Sequence, residues 1–136
     1  MRKARSILRT SVVCLLYCAL LLAGGCRSVA DTDDVLVEST ITPAAPVVDR
    51  EAFIEVTLRD RSRRPAAGAT LQVEAHMLHP GMAPLIEPAR EERSGVYTAR
   101  VSFPMSGAWE LSVTGSLVDG RRLRRHIANA TVGPAS

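Results

Sequence analysis

Two stretches decide the fold: Ile54-Glu55-Val56-Thr57-Leu58-Arg59 and Trp109-Glu110-Leu111-Ser112-Val113-Thr114. In each, apolar and polar residues alternate strictly, so one face is apolar and the other is wet, as a half-buried strand requires. Ala69 to Met77 and Tyr97 to Phe103 repeat the pattern. Weaker runs at Val35 to Thr42, Leu85 to Glu91 and Leu123 to Val132 bring the number to seven. Between them stand Arg64-Pro65 with Gly68, His79-Pro80-Gly81, Ser94-Gly95, Pro104 with Gly107, and Asp119-Gly120. The last reads as a two-residue hairpin turn. No segment sustains a helical period. Seven short antiparallel strands in about a hundred residues predict an all-β domain, an immunoglobulin-like antiparallel β-sandwich over 35–136. The alternation sends Ile54, Val56, Leu58, Leu71, Val73, Tyr97, Val101, Phe103, Trp109, Leu111 and Val113 inward, with Trp109 as the expected centre of a modest core.

Upstream of this domain the composition changes. Arg2, Lys3, Arg5 and Arg9 precede an apolar stretch from Val12 to Leu22 and the small residues Ala23-Gly24-Gly25. This is the three-part layout of a secretory signal peptide over 1–25, and the stretch is shorter than the roughly 20 residues of a spanning helix. Leu22-Ala23-Gly24-Gly25-Cys26 resembles the bacterial lipobox, which implies diacylation of Cys26 and a membrane-lipid anchor. Each buried methylene of such chains contributes about 0.8 kcal/mol. Arg27 in place of Asp implies, by resemblance to lipoprotein sorting rules, an envelope protein facing the periplasm from the outer rather than the inner membrane. Residues 26–34 then form the acylated cysteine and a polar tether.

Charge and cysteine counts narrow the chemistry. The 136-residue chain has a formal charge of +3. Four of its 17 basic residues lie in the leader, which leaves 13 arginines against 14 acids beyond Gly25, so a nucleic-acid partner is not expected. Cys14, Cys18 and Cys26 are the only cysteines and Lys3 the only lysine. The domain therefore has no thiol nucleophile, redox pair, cysteine-ligated zinc or Schiff-base lysine. No Gly-x-Ser-x-Gly elbow or phosphate-cradling loop is present, and Glu91-Glu92 point to opposite faces of a strand, so no enzymatic activity is expected.

A further set of residues resembles a family. Pro65-Ala66-Ala67-Gly68-Ala69, His76-Met77-Leu78-His79-Pro80-Gly81-Met82, Gly95-Val96-Tyr97-Thr98-Ala99 and Met105-Ser106-Gly107-Ala108-Trp109 together resemble the YtkA-like and FixH-like domains of bacterial envelope proteins. The resemblance runs from about Pro43 to Val132. It implies a small Ig-like module on an anchor, and a role in copper handling: assembly of a copper-containing oxidase or cation efflux at a membrane protein complex.

His76, Met77, His79, Met82 and Met105 are the candidate copper ligands, since thioether and imidazole suit Cu(I) whereas Mg or Ca would want carboxylates. With strands alternating up and down, the third and fifth connections emerge at the same end, so His79, Met82 and Met105 are expected to converge there. The residues also admit a reading without metal. Met77 continues the inward face of its strand, Met105 covers the edge of Trp109, and His79-Pro80-Gly81 makes a turn. The domain would then be a structural or interaction module docking on a membrane complex. The same topology places Arg61, Arg63, Arg64, Arg121, Arg122, Arg124 and Arg125 at the tethered end.

Overall fold

The computed structural model describes residues 33–79 and 81–135. The leader over 1–25, the lipidation residue Cys26 and the tether as far as Thr32 lie outside them.

Seven strands are present, one for each run read from the sequence: β1 Val35–Thr42, β2 Glu51–Asp60, β3 Thr70–Met77, β4 Leu85–Arg93, β5 Val96–Ser102, β6 Gly107–Ser116 and β7 Arg122–Val132. The described residues contain no helix. Neighbours in the order β1-β2-β5-β4-β3-β6-β7 all pair antiparallel. β1, β2 and β5 form one layer and β3, β6 and β7 the other, which is the strand arrangement of an immunoglobulin-like sandwich. β4 belongs to both layers. Its residues Leu85 to Ala89 pair with β3, whereas Arg90 to Arg93 pair with β5, with a register shift between Glu91 and Arg93. β4 thus closes one side of the sandwich.

The other side is a seam between β1 and β7, which run parallel and share no ladder. A bulge sets its chemistry. Leu111 faces Ala128 and Ser112 faces His126, which leaves Ile127 as the extra residue of β7. The Ile127 carbonyl accepts a hydrogen bond from the Ser39 hydroxyl at 2.9 Å. Toward the far end, the Val48 N–H donates to Gly133 and the Gly133 N–H to Pro46.

All eleven residues assigned to the core are 4% exposed or less. Trp109 packs edge to face on Phe103 with ring centroids 5.2 Å apart, and its indole N–H donates to the Met105 carbonyl at 3.2 Å. Among the described residues, the seven strands pair in one continuous order around one hydrophobic core. Strand β2 begins three residues before its sequence signal because Ala52, fully buried, continues the inward face with too small a side chain to register as apolar. The turn after β6 corrects another expectation. The Leu117 N–H donates to the Arg121 carbonyl and the Gly120 N–H to the Leu117 carbonyl. Val118-Asp119-Gly120 is therefore a three-residue loop with Gly120 at φ 84, a bulged turn rather than a two-residue one.

Connection 61–69 carries the chain from the first layer to the second, and three side groups hold it. The Tyr97 hydroxyl donates to the Ala66 carbonyl at 2.9 Å and accepts from the Ala69 N–H at 3.0 Å. Glu91 accepts from the N–H groups of Gly95 at 2.9 Å and Gly68 at 3.1 Å. Gly95, at φ 72, receives the Leu58 N–H at 2.8 Å, and a Cβ there would stand 2.8 Å from the Leu58 carbonyl oxygen and 2.9 Å from Pro65 Cβ. Burial pushes the Tyr97 phenol above its usual value. The N–H of Gly95, then that of Gly68, hold the Glu91 carboxyl below its usual range.

Removing the Tyr97 hydroxyl orphans a donor and an acceptor, so Tyr97→Phe should cost about 1–3 kcal/mol in urea unfolding while far-UV circular dichroism keeps its sheet signal. An unchanged midpoint would show that the connection does not need the phenol. Because the Glu91 pKa is depressed in the fold, its contribution is present above the unfolded-chain value and lost as pH falls through the folded one. Glu91→Gln should therefore be less stable than the wild type at neutral pH and equal to it below the carboxylate range.

Candidate functional site

The strand directions divide the connections between two ends. Connections 61–69, 94–95 and 117–121 lie at the end where the chain enters at Asp33; 43–50, 78–84 and 103–106 lie at the distal end. At the distal end, Met77, Leu78, His79, Met105, Ser106, Gly107 and Ala108 line an open cleft of about 340 Å³. Its floor follows from register. Met77, the last residue of β3, is paired with Trp109, and the Leu78 N–H donates to the Ala108 carbonyl at 2.9 Å. Past this point β3 leaves the sheet and β6 has only just begun, so the inward face opens to solvent. Gly107, at φ 134, leaves room for Met77: a Cβ there would be 3.1 Å from the Met77 terminal methyl. The far wall is Met105, whose backbone is tied by the Trp109 indole and whose side chain is 49% exposed.

Three of the five candidate ligands thus share the cleft: Met77, His79 and Met105. Met82 does not line it. Its side chain is partly buried against the core, because the seven-residue connection 78–84 folds back toward the sandwich before β4. Of the trio expected to converge, His79 and Met105 line the cleft together with Met77, whereas Met82 packs against the core. The sequence admits Met77 both as a candidate ligand and as a continuation of the core face, and its side chain is partly buried against the core while it lines the cleft. Its position as the last inward residue of a strand, where the neighbouring layer ends, was the signal that it also meets solvent.

His76 is on the opposite face of β3. Its Nε2 lies 3.5 Å from Glu74 Oε2, beside a polar row in which Glu74 also accepts from the Thr114 hydroxyl at 2.8 Å and the Arg124 guanidinium at 3.3 Å. The Thr114 hydroxyl is the main reason that the Glu74 carboxyl stays below its usual range. His126, on the same outer face, has its Nδ1 3.4 Å from Glu110 Oε1. Strand alternation separates both histidines from the cleft. Among the described residues, no three His, Cys, Asp or Glu side chains are grouped so as to hold a metal ion. The cleft's donor set is instead two thioethers and one imidazole, a soft set that fits Cu(I) and offers a hard cation no carboxylate.

Comparisons with known proteins agree with this architecture. No curated protein matches the chain in sequence. Among solved structures, the Lin-41 filamin domain superposes with a TM-score of 0.53 at 14% identity, covering 73% of this chain and 91% of that one. The fibronectin(III)-like modules of Clostridium thermocellum CbhA are similar at a TM-score of 0.42 and 19% identity, over 72% of this chain and 96% of that one. The filamin match supports the fold alone. The model of the YtkA-like family matches residues 32–114, a span that holds Tyr97, Trp109 and all seven residues lining the cleft. On that match, the chain belongs to the YtkA-like family.

Proposed function

We propose that this chain is a lipid-anchored envelope module facing the periplasm from the outer membrane, and that its distal cleft binds Cu(I) through Met77, His79 and Met105. The observation that carries this reading is that Met77 and His79, at the end of β3, and Met105, from the connection before β6, line one open cleft at the end away from where the chain enters. An exposed, incomplete soft-ligand set suits a carrier that hands its ion on, and the module would serve a copper-dependent membrane complex as a FixH-like accessory factor or in cation efflux. Cu(I) would supply no chemistry beyond its own transfer. The chain's part is to hold the ligands apart from the wet outer faces and to present them away from the lipid anchor at Cys26.

A second reading uses the same end without metal. Leu78 is 59% exposed and Met105 49% exposed, side by side on the rim, an apolar spot suited to docking on a membrane complex. Met77→Leu with Met105→Leu separates the two, since it keeps the apolar surface and removes both sulfurs.

Anaerobic Cu(I) titration of residues 28–136 against a chelator should give one ion per chain. His79→Ala and the double leucine variant should each weaken binding by roughly tenfold or more, the scale of losing one ligand interaction. Met82→Ala and His76→Ala should bind like the wild type. Wild-type affinity no tighter than that of the double leucine variant would remove copper and leave the docking role. For the anchor, Cys26→Ser should abolish labelling of the full chain by radioactive fatty acid and release it from membranes or leave a larger precursor. A variant that fractionates and migrates like the wild type would overturn the lipid anchor.

A further inference from the structure

At the end where the chain enters, the aspartates Asp33, Asp34, Asp60 and Asp119 are each paired with an arginine, and Glu91 is taken up by the N–H groups of Gly95 and Gly68. Arg125 Nη2 lies 2.8 Å from Asp33 Oδ1, and Arg121 spans Asp34 at 2.6 Å and Asp119 at 2.8 Å. Arg64 Nε lies 2.8 Å from Asp60 Oδ2. The Arg121 guanidinium holds the Asp34 carboxyl below its usual range, and the backbone N–H of Arg64 and of Arg121 do the same for Asp60 and Asp119. These acids stay ionised and committed at neutral pH. Arg61, Arg63 and Arg122 are exposed at the same end and, among the described residues, have no carboxylate within ion-pair distance. Arg63 adopts φ 61, a left-handed conformation that an arginine rarely takes and that a turn would ordinarily assign to Gly or Asn. Val118, at the tip of the turn after β6, is 81% exposed.

None of these groups sits on a loose loop. Connection 61–69 is fixed by Tyr97, Glu91 and the Asp60 turn, in which the Arg63 N–H donates to the Asp60 carbonyl at 2.8 Å. The turn after β6 is fixed by its two backbone hydrogen bonds and by the Asp119 carboxylate, which accepts the Arg121 N–H at 3.0 Å. Three exposed guanidiniums, without an ion-pair partner among the described residues, and one apolar tip are therefore carried on fixed backbone at one end of the domain.

We infer that this end is a docking surface for an anionic phospholipid bilayer, with Arg61, Arg63 and Arg122 on headgroup phosphates and Val118 at the interface. The choice of occupant rests on reach and charge. Asp33 lies seven residues after Cys26, so an extended tether spans at most ~25 Å. The sandwich, built on ten-residue strands, is about 33 Å long. A bilayer at the start of the tether can meet the entering end of the domain and cannot reach the distal end. Guanidiniums bind phosphate in a two-point geometry that an ammonium lacks, and the domain has arginine alone. The inference builds on the anchoring part of the function proposed above and is independent of copper.

The test uses residues 28–136, with the sheet signal in far-UV circular dichroism as the check that they fold; they lack Cys26, so acylation plays no part in its outcome. Sedimentation with vesicles of phosphatidylglycerol and phosphatidylcholine should show binding at low salt that disappears at high salt, and none to phosphatidylcholine alone. Arg61→Gln with Arg63→Gln and Arg122→Gln should lower the affinity by roughly tenfold or more while leaving the thermal melt and Cu(I) titration unchanged. No binding at low salt, equal binding to neutral vesicles, or a triple variant that binds like the wild type would each overturn the inference. Full displacement by millimolar inorganic phosphate at constant ionic strength would assign the arginines to a small anion and would overturn it too.

Discussion

The chain passes from the first layer to the second twice, between β2 and β3 and between β5 and β6, and the rest of the structure depends on how the first of these crossings is held. Its backbone groups lie over the end of the core, where water cannot serve all of them, so their partners must be built in. Tyr97 supplies a donor and an acceptor from inside the core, Glu91 supplies two acceptors from the rim, and Gly95 supplies a surface without a Cβ against which Pro65 can lie. All three belong to β4, β5 or the turn joining them, so the layer spacing, the position of β4 between the layers and the path of the crossing are set together. The Gly-x-Tyr-x-Ala motif is legible in these terms. The glycine leaves room for Pro65, the tyrosine ties Ala66 and Ala69, and Ala99 is fully buried in the core.

The distal end is built by a weaker version of the same device. The Trp109 indole replaces the Tyr97 phenol and ties one carbonyl, that of Met105, where the phenol ties two groups. Gly107 makes room for a methionine methyl where Gly95 makes room for a proline. The difference in anchoring explains why one end is closed and the other has a cleft. A side chain that both donates and accepts can seal a crossing, whereas an indole, which only donates, leaves the following turn held at one point.

The strands and their faces were legible because alternation is a local property: Ile54, Val56 and Leu58 report their side of the sheet without knowledge of any partner. What alternation does not report is where a face ends. Met77 and Met82 are both methionines near a strand terminus, and only the register with Trp109 decides that the first lines the cleft and the second folds onto the core. Long-range polar contacts were hidden for a similar reason. The tether reads as solvated, yet Asp33 and Asp34 find arginines 92 and 87 residues away. The turn at Asp119-Gly120 was placed correctly but given one residue too few, because its length is decided by the Leu117 and Arg121 backbone pairing and not by the dipeptide. The extra residue in β7 leaves almost no trace in sequence, since Ile127 and Ala128 are both apolar and either continues the pattern.

The seam between β1 and β7 has a mechanical consequence. β1 starts where the tether arrives, and its eight residues pair with β2 in one uninterrupted register along the long axis of the domain. A pull between the end where the chain enters and the distal end therefore runs along the strands and loads those hydrogen bonds together, in shear, instead of peeling them one at a time. The contacts at Ser39 and at Pro46 to Val48 brace β1 from its other flank. A load applied between the two ends of the domain is, in this geometry, directed along its most resistant direction.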